Sequence, residues 1–134
     1  MAATGDRDRV LLVEDDPAIR DLMETVLKDM GLAVDVASNG PRGLELAASN
    51  QPALAILDLG LPDMYGSTVA AGLRTLYANL TLMVVSALSP SAVAEDAWQM
   101  GAFTYVTKPF ELDQFSAAVR RGLELAHRDA RSPK

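Results

Sequence analysis

The sequence is poor in the residues that support several common kinds of functional site. Its 134 residues include no cysteine, one histidine and one tryptophan, and aromatic residues make up only 5%. The lack of cysteine excludes a disulfide scaffold, a thiolate zinc site and a cysteine nucleophile. No stretch approaches the roughly 18 consecutive apolar residues of a membrane-spanning helix. The charged start is followed by only four apolar residues, 10–13, which is too few for a secretory signal.

Positive charge is also scarce, because 12 Lys and Arg face 18 Asp and Glu, which gives a net charge of −6. This balance argues against direct binding of nucleic acid, which needs a basic surface. With 49% hydrophobic and 22% charged residues, the chain has the composition of a folded globular protein. Its length fits a single domain. We expect a cytoplasmic domain over residues 9–128, with short tails at 1–8 and 129–134 and no contact with a membrane.

Short apolar runs alternate with longer segments of helical periodicity, and this alternation is typical of an α/β fold. The runs predict five strands, at 10–13, 34–37, 54–57, 80–85 and 103–106. Continuous apolar runs indicate strands buried on both faces, whereas the alternating run at 34–37 indicates a strand near an edge. Strands separated by helices predict a doubly wound parallel sheet with right-handed crossovers and helices on both faces.

Helix boundaries are marked by capping residues and glycines. A helical pattern at Leu112, Phe115, Val119, Leu123 and Ala126 predicts a last helix that ends near His127. The predicted helix starts are Asp16-Pro17, Asn39-Gly40-Pro41, Ser67 and Ser89-Pro90, and the predicted exits are Gly31, about Ser49, and Gly101.

Polar residues follow four of the predicted strands. In an open parallel sheet, ligands bind beyond the carboxyl ends of the strands, so these residues are the first candidates for a site. The four strand ends are followed by Glu14-Asp15-Asp16, Asp58, Ser86 and Thr107-Lys108.

This set of side chains has a definite chemistry. Crowded carboxylates favour a cation among them, and an all-oxygen ligand set with water suits Mg²⁺. Lys108 and Ser86 offer the charge and the hydroxyl donor that hold a phosphoryl anion, and a carboxylate such as Asp58 can act as a nucleophile at phosphorus. Asp16 is better explained as a helix cap, which leaves Glu14 and Asp15 as the metal candidates.

These residues resemble the receiver domain of bacterial two-component response regulators, in the manner of a single-domain chemotaxis regulator. The similarity covers residues 9–127. Four motifs carry it, in order along the chain: Leu11-Leu12-Val13-Glu14-Asp15-Asp16, Leu57-Asp58-Leu59-Gly60-Leu61-Pro62 through Gly66, Ser86-Ala87, and Lys108-Pro109-Phe110. The resemblance implies a flavodoxin-like (βα)5 fold with strand order 2-1-3-4-5.

The resemblance also implies a role for each site residue. Asp58 would accept a phosphoryl group from the phosphohistidine of a histidine kinase or phosphotransfer protein, so the chain would catalyse only its own phosphorylation and dephosphorylation. Glu14, Asp15, Asp58 and the backbone carbonyl of Gly60 would hold Mg²⁺, or Mn²⁺ in its place.

The same family supplies a switch. Ser86 would move toward the phosphoryl oxygens, Lys108 would pair with them, and Tyr105 would turn inward. The readout face would consist of the helix predicted over 91–100, the strand around Tyr105 and the last helix. A downstream protein or a second copy of the chain would bind there.

Three other functions fit parts of the sequence. A flavin- or small-ligand-binding domain would need a phosphate-cradling loop, yet the first strand ends in acidic residues and no GxGxxG or GxxxxGK[ST] motif is present. A phosphatase with an aspartate nucleophile usually has a second aspartate two residues later, where this chain has Gly60. A receiver that no longer accepts phosphate is disfavoured by the presence of Asp15, Asp58 and Lys108.

Overall fold

In a computed structural model, the chain forms a five-stranded parallel sheet with strand order β2-β1-β3-β4-β5. The structure describes residues 8–59, 66–87 and 100–131, with side chains to 128. The elements are β1 (Arg9–Val13), α1 (Pro17–Asp29), β2 (Ala33–Ala37), α2 (Gly40–Ser49), β3 (Leu54–Leu57), α3 (Gly66–Leu76), β4 (Thr81–Ser86), β5 (Thr104–Thr107) and a last helix (Leu112–Arg131). Ser89-Pro90 and positions 91–99 of the predicted helix lie outside the described residues.

The sheet separates two apolar cores, as the continuous apolar runs predict. Strands β1, β3 and β4 lie inside the sheet, and every residue of β3 and β4 is buried. One core contains Val13, Leu57 and Val84, and the other contains Phe115 of the last helix. The alternating strand β2 is an edge strand, as predicted. Within the described ranges, no helix is both long and apolar enough to cross a membrane.

Two of the four predicted helix starts are confirmed. The Asp16 carboxylate accepts hydrogen bonds from Ala18 N at 2.9 Å and Ile19 N at 3.2 Å, and Pro17 is the first residue of α1. Asn39 caps α2 in the same way, and Ser49 ends that helix.

Several boundaries differ from the prediction. Ser67 lies inside α3, which already begins at Gly66, so it is not the cap. Strands β4 and β5 run one residue later than their apolar runs, because hydrogen bonding to the neighbouring strand continues through Ser86 and Thr107. The last helix continues past His127 to Arg131.

Gly31 ends α1 in the conformation that a C′ glycine adopts. Its φ is +85°, and a β-carbon at this position would have open space around it. We therefore expect Gly31→Ala to reduce the free energy of unfolding by about 1 kcal/mol through backbone strain alone. Chemical denaturation measures this value, and an unchanged midpoint would contradict the assigned strain.

Candidate functional site

The predicted site residues meet at the carboxyl edge of the sheet. Glu14 follows β1, Asp58 follows β3, Ser86 ends β4 and Lys108 follows β5. Three backbone bonds extend the sheet into this site: Glu14 N to Ala37 O at 3.0 Å, Asp58 N to Val13 O at 3.1 Å, and Lys108 N to Ser86 O at 2.8 Å. The neighbouring strands therefore fix the backbone from which these side chains project.

Lys108 joins two carboxylates that are distant in sequence. Its Nζ lies 2.8 Å from Glu14 Oε1 and donates to Glu14 Oε2 at 3.0 Å and to Asp58 Oδ2 at 3.1 Å. The Glu14 side chain is only 1% exposed and that of Asp58 8%. The peptide bond from Lys108 to Pro109 is cis. One ammonium group thus neutralises part of a buried cluster of negative charge.

The pKa values of both Glu14 and Lys108 are raised above their usual values in the folded protein. Burial raises the pKa of Glu14 to about 7, although its hydrogen bonds from Lys108 and from Asp16 N oppose the rise. Burial alone would lower the pKa of Lys108, but hydrogen bonds to Glu14 and Asp58 outweigh it and raise that pKa above its usual value. Lys108 therefore remains charged, whereas Glu14 titrates near neutral pH.

The acidic loop after β1 is held by several contacts of its own. Asp16 N donates to Glu14 Oε2 at 3.1 Å, while the Asp16 carboxylate caps α1. Arg20 Nη1 donates to the carbonyl oxygens of Glu14 at 3.0 Å and of Asp15 at 3.3 Å. Sequence reasoning did not identify Arg20, because its acceptors are backbone carbonyl oxygens.

Three carboxylates of this cluster fit a divalent cation. Glu14, Asp15 and Asp58 each offer an oxygen, and these oxygens lie within 4.8 Å of one another. Glu14 Oε1 is buried and makes no hydrogen bond, although it lies close to the Lys108 ammonium. An all-oxygen set of donors suits Mg²⁺. The predicted ligand at Gly60 lies outside the described residues.

The two predicted switch residues lie on neighbouring strands. Ser86 is 1% exposed at the end of β4, which brings its hydroxyl to the same edge as Lys108. Tyr105 lies in β5 in register with Val84, is partly buried, and packs against the core that contains Val13, Leu57 and Val84. The described structure therefore brings Ser86 to the carboxylate site, with Tyr105 on the adjacent strand.

The assignment of Asp16 as a cap leads to a prediction that separates it from the metal candidates. We expect Asp16→Ala to cost about 1 kcal/mol of stability, since two helix N–H groups lose their acceptor. The affinity for Mg²⁺ should stay close to that of the wild type, because Asp16 is not among the three carboxylates that meet at the site. Denaturation and calorimetric titration measure the two quantities, and a large loss of Mg²⁺ affinity with unchanged stability would make Asp16 a ligand instead.

The comparisons with known proteins agree with this geometry. Residues 10–120 match the family model of the response regulator receiver domain. The chain is 41% identical over 111 residues, 83% of its length, to the transcriptional regulatory protein KdpE of Mycobacterium tuberculosis, of which the match covers 49%. It is 27% identical to the sporulation initiation phosphotransferase F of Bacillus subtilis, covering 88% of this chain and 95% of that protein.

A solved structure of the response regulator TrrA from Thermotoga maritima, in complex with Mg²⁺ and BeF, is also similar. It matches with a TM-score of 0.76 and 30% identity, covering 86% of this chain and 98% of that one. The chain spans about half the length of KdpE and about a quarter of some other curated relatives. These matches decide against the flavin-binding and phosphatase alternatives. The chain belongs to the response regulator receiver domain family, the phosphorylation-dependent switches of two-component systems.

Proposed function

We propose that Asp58 is the phosphoacceptor of this receiver domain. One observation carries the proposal: the Asp58 carboxylate lies at a strand end, close to the carboxylates of Glu14 and Asp15 and 3.1 Å from the Lys108 ammonium. The Asp58 side chain is 8% exposed, so only a small part of it is open to a phosphoryl donor. A carboxylate near a bound cation and a lysine is a suitable nucleophile at phosphorus.

The transfer step is a displacement at phosphorus. An Asp58 carboxylate oxygen forms a bond to the phosphorus of a phosphohistidine, and the phosphorus–nitrogen bond breaks. The electron pair of that bond returns to the imidazole nitrogen, and the product is an acyl phosphate on Asp58. Mg²⁺ held by Glu14, Asp15, Asp58 and the Gly60 carbonyl would neutralise charge on the phosphoryl oxygens, and Mn²⁺ has the same preference for oxygen ligands.

Lys108 and Ser86 would respond to the new group. Phosphorylation adds nearly two negative charges and three acceptor oxygens at this edge. The Lys108 ammonium, now bonded to two carboxylates, would gain a more highly charged partner. The buried Ser86 hydroxyl would donate to the phosphoryl group in one loop arrangement and not in the other, which biases a two-state element. Tyr105 would report that change on the adjacent strand.

The proposed partners follow from these roles. A histidine kinase or phosphotransfer protein would supply the phosphoryl group. A downstream protein, or a second copy of the chain, would bind the face formed by residues 91–100, β5 and the last helix. The match covers only 49% of the transcriptional regulatory protein KdpE, so the proposal concerns the receiver domain and not the activity of a whole protein of that kind. We propose that this receiver occupies residues 9–128, with tails on either side.

Phosphorylation by a small donor tests the proposal directly. Acetyl phosphate and Mg²⁺ should add one phosphoryl group, detected by intact mass spectrometry, and a chelator should abolish the addition. A receiver that has lost phosphoacceptor function would show no adduct at any Mg²⁺ concentration, and that result would refute the proposal.

A further inference from the structure

Arg20 occupies a position that helix stability does not explain. It is the fourth residue of α1, and the first turn of this helix contains no acidic residue. A positive charge near a helix N-terminus is unfavourable because the unsatisfied N–H groups there carry partial positive charge. The side chain instead reaches back to the acidic loop, where Nη1 donates to two carbonyl oxygens. The contact therefore stabilises the acidic loop and not the helix.

The two acceptors lie on either side of one residue. The carbonyl of Glu14 belongs to the peptide plane before the Asp15 Cα, and the carbonyl of Asp15 belongs to the plane after it. Because a peptide unit is planar, fixing both planes leaves the Asp15 backbone little freedom. Arg20 thus restrains the direction in which the Asp15 side chain leaves the loop.

Asp15 depends on this contact more than the other two carboxylates do. Glu14 and Asp58 are buried and bonded to Lys108. Asp15 is exposed, and within the described part of the chain its carboxylate has no hydrogen bond or ion pair. Its distance from the other two carboxylates is therefore set by the backbone, whose orientation Arg20 holds.

We propose that Arg20 is a positioning residue that sets the affinity of the site for divalent cations by orienting Asp15. The inference rests on the proposed function, since it takes Glu14, Asp15 and Asp58 as the cation ligands. The charge of Arg20 and its orienting contact with the loop predict opposite effects of an Arg20 substitution on cation affinity. Removing a positive charge near the site would strengthen cation binding, whereas releasing Asp15 would weaken it. Orientation should prevail, because loss of a group that orients a metal ligand usually costs at least an order of magnitude in affinity.

Calorimetric titration of the full chain with MgCl₂ tests the inference. We expect Arg20→Ala to raise the Kd for Mg²⁺ by roughly tenfold, and Arg20→Lys, which keeps the charge and one donor, to fall between it and the wild type. Arg121→Ala is the matched control, because Arg121 is exposed on the last helix. Its ion pair with Glu124 is long, at 3.9 Å. It should leave the Kd unchanged. Equal or tighter binding by Arg20→Ala would overturn the inference.

A double variant distinguishes failure of this inference from failure of the metal site. If Arg20 acts through Asp15, Arg20→Ala should add little to the effect of Asp15→Asn on the Kd. If Asp15→Asn itself leaves Mg²⁺ binding intact, the proposed ligand set is wrong. If Asp15→Asn weakens binding and Arg20→Ala does not, the site stands and the inference about Arg20 fails.

Thermal denaturation with and without Mg²⁺ separates positioning from a merely structural role. A residue that only stabilises α1 would lower both melting temperatures equally when substituted. Under the inference, Arg20→Ala should reduce the rise in melting temperature that Mg²⁺ produces, because stabilisation by a ligand depends on its affinity for the folded state. An undiminished rise would contradict it.

Discussion

Asp58→Asn should abolish the phosphoryl adduct that acetyl phosphate and Mg²⁺ produce on the wild-type chain. An amide oxygen is a far weaker nucleophile than a carboxylate, and the substitution also replaces one of the three carboxylates proposed to hold the cation with a neutral amide. The shape of the side chain is preserved, so the packing below Asp58 remains. We expect no detectable adduct by intact mass spectrometry after times at which the wild type is fully modified.

A control variant and a measurement of folding show whether this loss is specific to Asp58. Asp29→Asn, at the exposed C-terminal end of α1, should keep wild-type phosphorylation because it is not part of the carboxylate cluster. Asp58→Asn should remain folded, since Lys108 retains Glu14 as a partner, and its melting temperature without Mg²⁺ should be at least that of the wild type. A persistent adduct on folded Asp58→Asn would place the phosphoacceptor on another residue.

The central part of the fold could be predicted because a parallel strand buried on both faces must be apolar along its length. The runs at 10–13 and 54–57 therefore mark β1 and β3 to within one residue. The residues after these strands then had to lie at one edge, which is why Glu14 and Asp58 could be grouped from sequence. The ends of helices depend on weaker signals. Ser67 is an example, because a residue that can cap a helix can also lie inside one.

The contacts within the site could not be predicted, because they join side chains from different elements. Sequence order suggests that Lys108 lies near the carboxylates, but only the structure shows that one ammonium bonds to both Glu14 and Asp58. Arg20 was missed for a similar reason. Its acceptors are backbone carbonyls, which every residue has, so no motif distinguishes them.

Glu14→Gln should make the metal-free protein more stable above neutral pH. Burial raises the pKa of Glu14 from 4.5 to about 7 in the folded protein, so the folded state binds more protons than the unfolded state between these values. Stability is therefore lost as the pH rises through this window, by about 3 kcal/mol in total. Glutamine has no proton to lose. The stability advantage of Glu14→Gln should thus grow by about 3 kcal/mol across the window, as measured by denaturation at a series of pH values in a chelator.

Glu45→Gln provides the control, because Glu45 is exposed beside Arg42 and should give a difference that hardly varies with pH. A pH-independent difference for Glu14→Gln as well would show that folding does not raise the pKa of Glu14. Mg²⁺ should reverse the order of stability. A cation binds the ionised carboxylate and stabilises only the folded state, which contains the site. The stability of the wild type should therefore increase more than that of Glu14→Gln as Mg²⁺ is added. The same carboxylate would then destabilise the empty site and strengthen the occupied one, which couples folding of this edge of the sheet to the ion that the proposed phosphoryl transfer needs.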